Sequence, residues 1–284
     1  MEIFSHTSTG HKTLLNFDYF TFSGGEEHIR FNASDFAETT KIEVFERLTD
    51  SSKLIRLMLA VDALKRLTYG AIPIELTIPY FPYARQDRVC VEGEALGAAV
   101  IAQFINNMGL SKVTIWDAHS DVSPALINNV VNVPQMALLA RCEELSTRLA
   151  KGELTLISPD AGASKKTLKI AETFNSELDV IQAQKVRDLK TGNIIETQIL
   201  GDVKGKSVLI ADDICDGGRT FIELAKVLKS QGAAEISLFI THGIFSKGLA
   251  VFEGLIDAIY TTDSFRPVNE FKPSATIKLQ IIEM

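Results

Sequence analysis

Residues 208–220 constrain this chain more than any other stretch. Val208-Leu209-Ile210-Ala211 is an unbroken apolar run, the kind that fills a strand buried on both faces of a parallel sheet. Two carboxylates, Asp212 and Asp213, follow where that strand ends. A turn, Asp216-Gly217-Gly218-Arg219-Thr220, then leads into a helical run with Phe221, Leu224, Ala225 and Leu228 on one face. The glycines let the backbone curl so that successive N–H groups point inward at the positive end of a helix. That makes an anion cradle suited to a phosphate. Thr220 adds a hydroxyl donor, and Asp212 and Asp213 suit sugar hydroxyls or a cation. Asp and Gly are also ordinary turn residues, so a bare Asp-Gly-Gly turn reads as a solvated connection. The acidic pair at the carboxyl end of an apolar strand favours a site.

The rest of the chain bounds what such a site can serve. Its 284 residues are enough for two domains at ~150 residues each, and the pattern of elements restarts around residues 133–140. The expected division is 1–138 and 139–284. A net charge of −7 argues against non-specific nucleic-acid binding, which relies on basic patches. Phosphate ligands must therefore be held by local cradles and individual Lys or Arg residues. Cys90, Cys142 and Cys215 are widely spaced and odd in number, which suggests a reducing compartment without a disulfide framework. No signal peptide and no apolar run of the ~18 residues that span a membrane is seen. The expectation is a soluble cytoplasmic protein.

Residues 1–31 read as short strands, with Phe22-Ser23-Gly24-Gly25-Glu26 opening a segment that alternates like a hairpin arm. Residues 32–50 are polar and poorly patterned. Leu54, Leu57, Met58, Val61 and Leu64 mark a helix, and a strand at 74–78 leads into Tyr83-Ala84-Arg85-Gln86-Asp87-Arg88, a charged loop. A helix carrying Leu96, Val100, Phe104 and Ile105 precedes a strand at 113–116 and then Asp117-Ala118-His119-Ser120. Residues i and i+2 leaving a strand point to one side, so Asp117 and His119 are placed to face one ligand. A strand at 154–157 runs into Ser158-Pro159-Asp160-Ala161-Gly162-Ala163, whose small residues before a helix again favour an oxyanion. Lys185-Val186-Arg187 opens a charged loop with Gly192 and Asn193. After a strand at 236–240, His242 reads as a structural turn residue. Strands near 258–262 and 276–282 close the chain.

These words, in this order from about Phe22 to Ile282, resemble the ribose-phosphate diphosphokinases (PRPP synthetases), relatives of the type I phosphoribosyltransferases. The resemblance implies an α/β fold of two tandem phosphoribosyltransferase-like domains, each with a mostly parallel sheet flanked by helices, and an active site between them. The first domain would be the ATP side and the second would carry the ribose 5-phosphate loop. The implied reaction is transfer of the diphosphate of ATP to the anomeric hydroxyl of D-ribose 5-phosphate, giving PRPP and AMP.

The family places residues as follows. Phe22 would stack on adenine and Glu26 would accept from it, on a loop shared across a subunit interface. Arg85 and Gln86 would bind ATP. His119, Asp117 and Asp160 would serve Mg²⁺, while Lys185 and Arg187 would close over the transferring phosphates. Asp212, Asp213, Asp216, Gly217, Gly218, Arg219 and Thr220 would bind ribose 5-phosphate. The implied partners are ATP, ribose 5-phosphate and further copies of the chain in a dimer or hexamer, with no nucleic acid and no membrane. The chain departs from the family at Gly24 (usually Asp or Asn), at Gly217 (usually Thr) and along 89–94. Those departures keep open a non-enzymatic regulatory homologue. A phosphoribosyltransferase, which uses the same cradle to consume PRPP, is the other alternative.

Overall fold

The computed structural model describes residues 1–36, 38–187 and 194–284, with the backbone alone at 35, 185–187 and 194–197. The chain divides into two compact units, Met1–Val133 and Pro134–Met284.

The first unit opens with β1 (Glu2–Thr7) and β2 (Lys12–Leu14), followed by a hairpin of β3 (Phe17–Thr21) and β4 (Glu27–Phe31). Next come β5 (Thr39–Phe45), α1 (Ser51–Leu67), β6 (Ile74–Ile78) and α2 (Gly97–Asn107). The unit closes with β7 (Lys112–Trp116), α3 (Val122–Leu126) and β8 (Val130–Val133). Six of these strands form one sheet in the order β2-β1-β5-β6-β7-β8. β5 to β8 run parallel, and β1 is antiparallel to both β2 and β5. Helix α1 starts where the Asp50 carboxylate accepts from the Lys53 amide at 3.0 Å, an N-cap.

One face of this sheet is apolar. Ile42, Val44, Leu76, Val113 and Ile115 share a core with Leu57 and Leu64 of α1 and with Ile101 and Ile105 of α2. The other face carries a ladder of charges. Glu43 pairs with Lys12 at 2.7 Å and His6 at 2.9 Å, and Glu75 pairs with Lys112 at 3.1 Å and Lys41 at 3.5 Å. Partial burial pushes the Glu43 carboxyl up, but Lys12, His6 and Lys41 outweigh it and hold the group at about 2. This ladder explains why 32–50 looks unpatterned by sequence although it holds the central strand β5. Ile42 and Val44 point into the core, while Lys41 and Glu43, alternating with them, point out.

The second unit contains α4 (Gln135–Leu139), α5 (Glu143–Ala150), β9 (Thr155–Ser158), α6 (Ser164–Phe174) and β10 (Val180–Arg187). It continues with β11 (Ile194–Ile199), β12 (Ser207–Cys215), α7 (Arg219–Ser230), β13 (Glu235–Gly243), β14 (Ala258–Thr262) and β15 (Lys278–Ile282). Its seven-stranded sheet has the order β11-β10-β9-β12-β13-β14-β15 and is parallel except for β11. From β9 the chain passes through α6 to β10 on one side, and from β12 through α7 to β13 on the other. The order reverses between β9 and β12, so the loops leaving those two strands flank a crevice at their carboxyl ends. Both loops are among those singled out by sequence. Strand β12 runs past its apolar start to Cys215, and Asp212 lies opposite Ile240 within the ladder. Strand β10 reaches Arg187, so the expected charged loop begins on a strand. Residues 188–193 of that loop lie outside the described residues. Among the described residues no helix is long and apolar enough to cross a membrane.

The turn from β12 into α7 is packed to tolerance. Gly218 has φ +78°, and a Cβ there would stand 2.4 Å from Cζ of the buried Phe252. Gly217 has neither constraint, its nearest neighbour being Lys247 Cε at 3.6 Å. Gly218→Ala is therefore expected to lower stability by roughly 2–5 kcal/mol, the sum of a left-handed backbone penalty and overpacking. Gly217→Ala should stay within about 1 kcal/mol of the parent. Urea midpoints of the two variants check this, and equal losses would put the constraint elsewhere.

Candidate active site

The second unit concentrates its polar chemistry at the β9/β12 crevice. Asp213 is buried and Asp212 half-buried on a strand whose apolar residues lie in the core, so both are drawn partly out of water. Local backbone offsets part of that cost: the Asp213 amide donates to Asp212 Oδ1 and the Ile214 amide to Asp213 Oδ1, each at 2.9 Å. Lys166 on α6 adds an ion pair to Asp213 at 3.5 Å. Asp160, in the loop after β9, accepts from the Ala163 amide at 3.2 Å, and its backbone carbonyl accepts from Ser158 Oγ at 2.8 Å. Burial pushes the Asp212 carboxyl well above the usual carboxylate range, and the charges of Asp213 and Asp160 push the same way.

Next to this acidic group lies the cradle. Asp216 and Gly217 are half-buried, Gly218 is the left-handed residue before α7, and Arg219 and Thr220 open the helix, Arg219 exposed and Thr220 half-buried. The twelve-residue helix presents its unpaired N–H groups there. The loop after β13 braces the cradle from the side. The Ile244 and Phe245 amides donate to Cys215 O at 2.9 and 3.0 Å, and the Ser246 amide donates to Asp216 O at 3.1 Å. Cys215 itself is fully buried, and burial together with Asp212 and Asp216 drives its thiol up and out of reach of ordinary pH.

Three partners of this site carry no signal of their own in the sequence. Lys166 is one. Another is the buried Gln135, whose Nε2 donates to Asp212 O at 2.7 Å and approaches Thr241 Oγ1 at 3.3 Å, tying β12 to β13. The third is Ser264, whose Oγ lies 2.8 Å from His242 Nδ1 and donates to Thr241 O at 2.8 Å. His242 is buried inside β13, where it serves this hydrogen-bonded array rather than a turn.

In the first unit the hairpin turn is closed by Phe22 N to Glu26 O and Gly25 N to Phe22 O, both 2.8 Å, with Gly25 left-handed. Phe22 is 49% exposed and lies edge-to-face with Phe20 at 4.8 Å and with His28 at 5.8 Å, and Glu26 is exposed beside it. The hairpin is anchored to α1. The Arg56 guanidinium lies 3.7 Å from the centre of the Tyr19 ring and donates to its hydroxyl at 2.6 Å, and that hydroxyl donates to Glu27.

Arg85 is exposed on the loop after β6. Gln86 is turned back onto α2: its Oε1 occupies the space beside Gly97, and its carbonyl accepts from Ala98 N at 3.1 Å. Asp87, which was not singled out as a site residue although it lies in the same hexapeptide, is buried. It is held below the usual carboxylate value by Ser120, then Arg88 and His119. It therefore couples this loop to the one that carries His119.

Strand β7 ends at Trp116 and Asp117 takes φ +39°, so strand alternation does not extend through Asp117 and His119. Asp117 is buried at 2% exposure and His119 is exposed. Among the described residues no three metal-ligating side chains converge. Lys185 and Arg187 are placed by backbone only, opposite Thr197 and Ile194 of β11.

The raised Asp212 group has a measurable consequence. The folded chain holds its proton more tightly than the unfolded chain, so it binds more protons from about pH 4 up to the raised value. Stability is present on the acid side of that window and is lost as pH rises through it. Asp212→Asn removes the penalty while keeping the Oδ1 acceptor. It is expected to raise Tm at pH 7.5 and to flatten the fall of Tm between pH 5 and 8. A variant with lower Tm throughout that range would assign the pair a purely structural role.

Residues 133–250 match the family described as phosphoribosyl transferase domain, and residues 5–109 match the N-terminal domain of ribose phosphate pyrophosphokinase. A ribose-phosphate pyrophosphokinase of Mycoplasma pneumoniae is 32% identical over 254 residues, spanning 86% of this chain and 74% of the relative. That of Mycoplasma genitalium is 31% identical over 274 residues, spanning 93% and 78%. The crystal structure of phosphoribosylpyrophosphate synthetase from Mycobacterium smegmatis superposes with a TM-score of 0.78, covering 95% of this chain and 87% of that one at 22% identity, a likeness of fold. With relatives of this identity aligned over most of both chains, the chain belongs to the ribose-phosphate pyrophosphokinase family.

Proposed function

We propose that this chain transfers the diphosphate of ATP to D-ribose 5-phosphate, releasing AMP and forming PRPP. The observation that carries the reading is the crevice between β9 and β12, where an anion cradle adjoins the buried Asp213 and the half-buried Asp212. The cradle suits a 5-phosphate, and the pair suits ribose hydroxyls. The carboxylate oxygens of the two residues accept hydrogen bonds from neighbouring hydroxyls. The first unit serves ATP: Phe22 stacks on the base, Glu26 accepts from its edge, and Arg85 and Gln86 bind the nucleotide, with Arg85 on the phosphates.

In the reaction the anomeric oxygen forms a bond to the β-phosphorus. The bond from that phosphorus to the α–β bridging oxygen breaks, the hydroxyl proton is released, and AMP leaves. Such a transfer asks the protein for alignment and for neutralisation of charge spread over oxygens. Lys185 and Arg187 supply positive charge where negative charge builds up on the oxygens in the transition state.

Mg²⁺ fits the donor set. It keeps several waters and is held by one or two protein groups with substrate phosphates rather than in an all-protein cage. In the second unit Asp160, half-buried at the crevice, would hold such an ion through its waters, and in the first unit the exposed His119, with the buried Asp117 two residues before it, would serve in the same way. When bound, the ion neutralises triphosphate charge. The exposed Phe20 and Phe22 support a homo-oligomer in which the hairpin meets a second copy.

Incubation with ATP, Mg²⁺ and ribose 5-phosphate is expected to yield AMP and PRPP in equal amounts, strictly dependent on the sugar phosphate and the cation. Protein that binds both substrates but forms neither product would establish the regulatory homologue instead. Lys185→Ala and Arg187→Ala should each lower kcat on the order of 10²-fold with little change in ribose 5-phosphate binding. A raised KM at normal kcat would move these residues out of the chemical step.

A further inference from the structure

Gly217 leaves one wall of the cradle without a side chain, and the stem of Lys247 lies across that gap. A Cβ built on Gly217 would stand 3.6 Å from Lys247 Cε and 3.8 Å from Lys247 Cδ, with Ser246 Oγ next at 3.9 Å. Thirty residues of chain, including all of α7, separate the two positions, yet they are held together at the backbone. The amides of Ile244, Phe245 and Ser246 all bond to carbonyls of Cys215 and Asp216. A tight turn, Gly248 N to Phe245 O at 2.8 Å with Gly248 at φ +73°, then sets the direction in which Lys247 leaves the chain. Lys247 is exposed, and its ammonium has neither an ion pair nor a hydrogen bond among the described residues. Arg219, at the first position of α7, is exposed and likewise without an ion pair there.

We infer that Lys247 is a phosphate-binding residue of the ribose 5-phosphate cradle, brought in from the loop after β13 to stand where Gly217 offers no side chain. The inference rests on the reading of the cradle given above. A threonine at 217 would add a hydroxyl donor. The ammonium at the end of the Lys247 stem adds a full positive charge to the cradle at the helix N-terminus, where a dianionic phosphate ester is neutralised more completely. Lys247 would thus favour the phosphorylated sugar over the free sugar and make its binding depend on salt, since exposed charges are screened.

The test is calorimetric binding of ribose 5-phosphate without ATP, with ribose as the uncharged control, to the parent, Lys247→Ala, Lys247→Glu and the double variant Gly217→Thr with Lys247→Ala. Lys247→Ala is expected to weaken ribose 5-phosphate on the order of 10- to 100-fold, the range of one charge-assisted hydrogen bond. Lys247→Glu should weaken it further, and a threonine at 217 should recover part of the loss. Affinity of the parent should fall more steeply with added salt than that of Lys247→Ala. Lys247 is exposed, so melting temperatures of the variants should match the parent and separate binding from folding. If the parent binds and Lys247→Ala binds within about twofold of it, the inference is overturned and the cradle stands. If the parent itself does not bind ribose 5-phosphate, the reading of the cradle falls and Lys247 with it.

Discussion

Two like charges drawn out of water on neighbouring residues of one strand set the terms for the second unit. Asp212 and Asp213 cannot both ionise cheaply where β12 places them, and burial with the neighbouring charge pushes the Asp212 carboxyl up. Lys166 of α6 pairs with Asp213, backbone amides of the strand donate to both carboxylates, and Gln135 of α4 holds the main-chain carbonyl of Asp212. Truncating Lys166 or Gln135 removes a partner of the strand at a desolvation cost that exceeds the net value of the bond itself.

The cradle beside the pair depends on a different kind of constraint, one of volume. Gly218 lies against the Phe252 ring with no room for a methyl group, and Phe252 in turn stands edge-on to Phe245 at 6.2 Å. Phe245 is the middle residue of the segment whose amides brace Cys215 and Asp216. The phosphate-facing backbone is therefore backed by an aromatic core. Its N–H groups are oriented before any anion arrives, and binding need not also pay to order them.

In the first unit the same logic works at longer range. The hairpin is two strands only, too little to be stable alone, and its exposed tip is fixed through Phe17 and Ile29 on the core and through the Arg56–Tyr19–Glu27 chain on α1. Asp87 plays the matching part for the charged loop after β6. It reaches Ser120 and feels His119, so two loops from neighbouring strands share one buried carboxylate.

Much of this was legible in the residues themselves. The apolar run of β12, the glycine turn and the face of α7 are local patterns, and every residue assigned to that face is buried. Strands at 74–78 and 258–262 stand at the bounds their composition implies. Strand β5 was not legible, because its outward residues are charges paired across three neighbouring strands, and a sequence shows the charges without the partners. Nor was the break at Asp117, where a left-handed backbone ends the alternation that spacing alone implies. The local word thus determined which backbone could curl around an anion and which strand carried the acids. Tertiary structure decided which groups stand opposite them: Lys166, Gln135 and Lys247 come from positions 47, 77 and 30 residues away from Asp213, Asp212 and Gly217. Periodicity reports only which side of an element faces inward. It holds no record of what the fold brings to meet it.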